Sequence, residues 1–229
     1  MPNTTTRPSK RSDEINNLIN SVNRYNPKNI PVLEEYLKDQ CNSYSKDSND
    51  LAANLALLKL YQFNPDQINL DAVINVLVKA LASLPGNDFI LCLYLLNEQV
   101  ISDESIVKIL ELKDLLETAH YDTFWEVLSS DLARDLTSGV KGFDDSIRSL
   151  IANNIGITHQ SATSEFLQLA LNLDEMDLQD FAEQQGWIIR SDNIVTLPLH
   201  KENIAKSVVY SEQIPFVQLT KIIGAASEL

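Results

Sequence analysis

Glycine is scarce in this chain, with six in 229 residues. That scarcity argues against a fold rich in tight hairpins and against glycine loops that cradle phosphate. Cysteine is scarcer still: Cys41 and Cys92 lie far apart, and Cys92 sits in an apolar run. They read as small core residues rather than a disulfide pair, which fits a reducing, cytosolic compartment with no signal peptide ahead of them. No apolar run is long enough to span a bilayer, the longest lying near residues 89–96. Basic residues are outnumbered, 18 against 32 acidic, giving a formal net charge of −14. A chain this acidic repels phosphate backbones unless it carries a local basic patch.

Signatures of catalysis are missing as well. The sequence contains no G-x-S-x-G, Walker A loop, G-x-G-x-x-G or H-E-x-x-H. His120, His159 and His200 lie in separate segments, none spaced with carboxylates or cysteines as a zinc site requires. The pair Asp144 and Asp145 opens a helix, where negative charge is favourable, and Asp114 with Glu117 reads as a solvated acidic face. The expectation is a protein without catalytic activity, cofactor or metal.

What the chain does contain is helix. Residues 50–65, DLAANLALLKLYQFNP, form its densest apolar stretch. Asn49 or Asp50 can cap the start and Pro65 stops it. Leu51, Leu55, Leu58 and Tyr61 or Phe63 recur at helical spacing, while Asn54, Lys59 and Gln62 fall within an arc of roughly 140° at about 100° per residue. Such a helix must be packed on most sides, so it is expected at the centre of a helical layer.

Ser12 caps a preceding helix with Ile15, Leu18, Ile19 and Val22 inward. A further helix starts near Pro31, with Val32 or Leu33, Tyr36 and Leu37 as its core face. Downstream, helices are predicted over 70–84, 89–98, from Ser102 or Asp103 through Leu116, over 121–128 and over 144–154. These are successive helices of about 10–16 residues joined by polar turns, the pattern of stacked helical pairs, although no strict internal repeat is present. Residues 1–11 are polar and basic and read as a disordered tail.

After Gly156 the character changes. A helix is predicted over 161–171 with Phe166, Leu169 and Ala170 inward, and another over 178–185 ending at Gly186. Trp187-Ile188-Ile189-Arg190 and Ile194-Val195-Thr196-Leu197 read as two strands about the turn Ser191-Asp192-Asn193. Helix, helix, helix, hairpin is the order of a winged helix. Pro215 opens a last helix with Phe216, Leu219, Ile222 and Ile223 on one side. The fold class is therefore mainly α: a HEAT-like helical domain over 12–157, then a winged-helix domain with a small hairpin and a C-terminal helix over 158–229.

Several motifs stand in order along this frame: Arg24-Tyr25-Asn26-Pro27, Asn54-Leu55-Ala56, Tyr61-Gln62-Phe63-Asn64-Pro65, Asp88-Phe89, Asp114-Leu115-Leu116-Glu117-Thr118, Phe124-Trp125, Gly142-Phe143, Ser146, Gly156-Ile157-Thr158 and Gly186-Trp187. Together they resemble the subunit k family of eukaryotic translation initiation factor 3, a PCI-type group, over roughly residues 24–187. The resemblance implies the same helical-repeat and winged-helix order. It also implies a cytoplasmic scaffold subunit in translation initiation, with subunit l as its direct partner and the small ribosomal subunit reached through the complex. Two other readings stand beside it: a PCI subunit of the proteasome lid or signalosome, which would share the fold, and, from a different class, an autonomous winged-helix nucleic-acid binder. The last is disfavoured by charge, since residues 158–229 hold four basic against ten acidic residues and the third helix carries Asp180 and Glu183 but no Lys or Arg.

Partner docking is expected at two places. The second hairpin strand, with Ile194, Val195 and Leu197, would offer an open edge, blocked at its end by Pro198. The terminal helix, with Phe216, Leu219 and Ile222, would offer an apolar stripe.

Overall fold

The computed structural model describes Pro8 and residues 11–43, 49–190, 192–204 and 216–227. Most of the expected tail (1–11), the turn residue Ser191 and the helix-opening Pro215 lie outside the described residues. Among them, thirteen α-helices and three short strands follow one another.

Capping sets the boundaries of the first helices. Ser12 accepts from the Ile15 N–H and opens α1 (Asp13–Asn20), which buries Ile15, Leu18 and Ile19. Val22 does not continue that stripe; it falls in a 3-10 turn and is exposed. Helix α2 (Ile30–Cys41) carries proline in its first turn and buries Ile30, Leu33 and Leu37, leaving Val32 outside. Asp50 caps α3 (Leu51–Phe63) by accepting from the Ala53 N–H, and the helix stops at Asn64 before Pro65. Leu57, Leu58, Leu60 and Tyr61 are buried, but Leu51 and Leu55 only half so.

Helix α4 (Leu70–Leu81) packs against α2, α3, α5 (Asp88–Leu93), α7 (Glu104–Glu117) and α9 (Asp131–Ser138). The hub of the layer is thus α4, with α3 as its neighbour rather than its centre. The segment expected as one helix over 89–98 is α5 followed by a turn and the single-turn α6 (Glu98–Ile101). Gly139 ends α9 against α4 so closely that a Cβ there would lie 2.6 Å from the Asn75 Oδ1. Helices α8 (Tyr121–Leu128) and α10 (Phe143–Thr158) complete the first part. Gly156 is inside α10 rather than at a boundary.

Beyond α10 come β1 (Ser161–Thr163), α11 (Ser164–Leu171), α12 (Glu175–Gln185), β2 (Ile188–Ile189) and β3 (Ile194–Thr196). Gly186 closes α12 at φ 71°, a conformation open to glycine at little cost. The core face of α11 is Leu167, Ala170 and Leu171; Phe166 and Leu169 point to solvent, so the predicted face is turned by one position. One continuous cluster of buried side chains runs from Ile15 to Leu197. The indole N–H of Trp125 in α8 donates to the Ala170 carbonyl at 2.9 Å, and the Arg148 guanidinium of α10 stands 5.4 Å from the same ring. Helix α13 (Phe216–Ser227) is the last element described.

Candidate docking surface

The three strands lie in the order β1-β3-β2, both pairings antiparallel. Val195 faces Ala162 on one side and Ile189 on the other, and the Leu197 N–H donates to the Gln160 carbonyl at 3.0 Å. The open edge expected at Ile194, Val195 and Leu197 is therefore absent. That strand is the middle of the sheet, with Val195 and Leu197 fully buried and Ile194 half-buried. Among the described residues the edges of the sheet are β1 and β2. On β2, Ile188 is 65% exposed and Ile189 also reaches solvent, so an apolar edge exists one strand away from where it was expected.

The terminal helix behaves differently. Val217, Leu219, Ile222 and Ile223 are all exposed, as is every described side chain of α13. The side chain of Phe216 lies outside the described residues. Among the described residues nothing packs over this apolar stripe, and exposed apolar surface of this kind is characteristic of docking sites.

Helix α12 presents Glu175, Asp177, Asp180 and Glu183 and no basic residue. An open cleft of about 630 Å3 between α8 and α11 is lined by Asp122, Glu126 and Glu165 among others. Neither offers phosphate a counter-charge.

Several ionisable groups elsewhere are spent on structure. Arg11, although placed with the tail in sequence, donates from Nε and Nη2 to both Asp50 carboxylate oxygens, at 2.6 and 2.5 Å. The Tyr36 hydroxyl donates to Asp50 Oδ2 at 3.1 Å. Asp50 is only 1% exposed, and burial with that neighbouring carboxylate pushes the Tyr36 hydroxyl up to about 12. Gln40 accepts from the Asp50 N–H at 2.9 Å and donates to Asn54 at 3.2 Å; Asn54 donates to Asn49 at 3.1 Å, which donates to Asp88 at 2.9 Å. Asn54, expected on the solvent side of α3, is thereby buried at 3% exposure because its amide is satisfied inside. Lys79 donates to the Gln40 carbonyl from the other side.

Burial raises the thiols of Cys41 and Cys92, the latter to about 12, which leaves neither poised as a nucleophile. Asp144 pairs with Arg134 and Asp145 with Arg148, and Lys113 binds both Asp114 and Glu117. His120 contacts Thr118 and His159 contacts Thr158, each at its own helix junction. Among the described residues no group of three or more His, Cys, Asp or Glu could hold a metal ion, and no helix is long and apolar enough to cross a membrane.

One cluster escaped the sequence reading. Phe63, expected in the core, is 58% exposed, and Tyr25 is 52% exposed; their rings meet with centroids 6.3 Å apart. Arg24 stands 5.4 Å from the Tyr25 ring and Lys59 5.1 Å from the Phe63 ring. Both aromatics belong to an aromatic-Asn-Pro triplet, in which the asparagine precedes a 3-10 turn begun by proline. The repeated triplet was the available signal.

Comparison with known proteins places these features in context. Residues 67–208 match the CSN8/PSMD8/EIF3K family. A Xenopus laevis protein named eukaryotic translation initiation factor 3 subunit K is 38% identical over 214 residues, covering 93% of this chain and 95% of the relative. Proteins of the same name from Phaeosphaeria nodorum and Nematostella vectensis are 36% and 35% identical, over 96% and 93% of this chain and 95% and 96% of their own lengths.

Proposed function

The chain belongs to the CSN8/PSMD8/EIF3K family, and on that premise we propose that it is a non-catalytic scaffold subunit of the eukaryotic translation initiation factor 3 complex. The observation that carries this reading is near full-length similarity, in both directions, to proteins named as subunit K of that factor. The spent carboxylates, raised thiols and separated histidines support a role without chemistry. The order α10, β1, α11, α12, β2, β3 supports a winged-helix module after a HEAT-like helical layer. The acidic face of α12 supports docking to protein rather than to duplex nucleic acid.

Within the complex, subunit l is the proposed direct partner. The exposed stripe of α13 and the Ile188–Ile189 edge of β2 are the proposed contacts, replacing the buried β3 residues. Contact with the small ribosomal subunit follows through the complex, in the cytoplasm, with no cofactor.

The test is affinity purification of the tagged chain from a eukaryotic host, with identification of co-purifying proteins. Stoichiometric recovery of initiation factor 3 subunits, subunit l included, is expected. Recovery of proteasome-lid or signalosome subunits instead would assign the chain to a different complex of the same fold, and recovery of neither would overturn the scaffold reading.

A further inference from the structure

The paired aromatics Tyr25 and Phe63 come from segments almost forty residues apart, and nothing described covers them. Single exposed apolar residues are ordinary. Here two large rings meet on the surface, each with a cation beside it. Lys28 follows in the next turn. Among the described residues, Arg24, Lys28 and Lys59 make no ion pair; Lys59 donates only to the neutral Gln62 at 2.8 Å.

Their surroundings are unusual in so acidic a chain. Residues 15–33 contain no Asp or Glu, and neither do residues 51–65, although acidic residues exceed basic ones by far overall. The nearest acids in sequence are Glu14, Glu34, Asp50 and Asp66; the Glu34 carboxylate is taken by the Tyr61 hydroxyl and the Asp50 carboxylate by Arg11. The first 3-10 turn packs on both α1 and α3, so these acid-free stretches share one face.

We infer that the Tyr25–Phe63 pair, with Arg24 and Lys59 beside it and Lys28 in the following turn, is a docking surface for an acidic segment of a neighbouring protein subunit. A hydrophobic side chain of that segment seats on the two rings, and its carboxylates meet the three cations. An aromatic pair offers large contact area at little conformational cost, and desolvated cations beside it set the charge of what fits. Unpaired RNA is the other polyanion that uses aromatic and basic residues together. It fits less well. A chain of net charge −14 repels an extended phosphate backbone more than a short acidic peptide.

This inference rests on the chain being a subunit of a larger complex, and one experiment separates the two. The full chain, tagged and carrying the photo-crosslinking residue benzoylphenylalanine at position 63, is expressed in a eukaryotic host, irradiated and purified. The crosslinked peptide is sequenced by mass spectrometry, and co-purifying subunits are scored in the same sample. The expected product is a crosslink to a protein segment rich in Asp and Glu. Its yield should fall about tenfold or more when Arg24→Glu and Lys59→Glu are combined, since like charges suppress a partner. Circular dichroism of that variant should match the parent, because both residues are half-exposed and neither makes an ion pair among the described residues. A crosslink to RNA, a crosslink to a neutral or basic segment, a yield indifferent to charge reversal, or no crosslink while the complex co-purifies each overturns the surface and leaves the subunit reading standing. Loss of the complex from the sample overturns the subunit reading, and the crosslink at position 63 still decides the surface.

Discussion

Helices α3 and α13 are near equals in length, 13 residues against 12, and both are predominantly apolar, yet they meet opposite fates. In α3, Leu57, Leu58 and Leu60 are sealed by α1, α2, α4 and α5. In α13, Leu219, Ile222 and Ile223 face solvent. Composition determines that a segment needs burial, and neighbours determine whether it gets it. The contrast separates apolar surface used for folding from apolar surface left for assembly.

The sharpest way to break the contrast is at the start of α3. Arg11→Ala leaves the Asp50 carboxylate buried without its cation, which costs about 3–5 kcal/mol. Urea denaturation checks this, and a loss under about 0.5 kcal/mol would show that water reaches Asp50. Leu58→Ala, in a fully buried position, should cost about 2–5 kcal/mol. Leu219→Ala in α13 should stay within about 0.5 kcal/mol in the isolated chain. Equal losses at the two sites, by thermal melting, would erase the distinction between the helices.

Truncation before Ser211 removes α13 altogether. The expected outcome is an unchanged melting temperature with loss of subunit l on co-purification. An unfolded product would place α13 in the fold, and a folded product that still binds would take it out of the interface. The smallest effect concerns Tyr36. Its hydroxyl is raised from an ordinary value of 10.0 to about 12, by burial first and by Asp50 second. A raised folded value means that its stabilising contribution is complete below pH 10 and disappears as pH rises towards about 12. Melting temperatures over that window should fall less steeply in Tyr36→Phe than in the parent.

Punctuation was the most legible part of the sequence. Ser12, Asp50 and Asp103 cap helices as their side chains predict, and Pro65 and Gly186 end them. Some of the collinear motifs, such as Tyr61-Gln62-Phe63-Asn64-Pro65 and Gly186-Trp187, sit at these junctions, and others, such as Phe124-Trp125, lie inside helices. What was illegible depended on contacts distant in sequence. Strand β1 is Ser-Ala-Thr, with no alternation to announce it, and it exists because β3 needs a second partner. Missing it turned a central strand into an expected edge and misplaced Ile194, Val195 and Leu197. Helix α9 is a short, mostly polar segment whose apolar residues are Leu132, Ala133 and Leu136, and it buries Ala133 and Thr137. In α11 two stripes one residue apart satisfy the same spacing, and packing on α8 and α10 selected Leu167 and Leu171 over Phe166 and Leu169. Asn54 looked like solvent-facing amide because a sequence does not show Gln40 waiting across the helix pair.

The chain's two tryptophans fall on opposite sides of the seam where α8 meets α11. Trp125 is set edge-on to Phe124 with Arg148 nearby, and Trp187 is set edge-on to Phe181 beside the sheet. Each is a native chromophore reporting on its own half, and Trp125→Phe or Trp187→Phe leaves the other as a sole emitter. Because the indole of Trp125 is tied to the Ala170 carbonyl across the seam, the two emissions should shift together along a denaturant gradient. Staggered shifts would mean that the halves melt as separate units. The molecule thus carries, without added dye, an optical gauge of whether its two halves are thermodynamically one body.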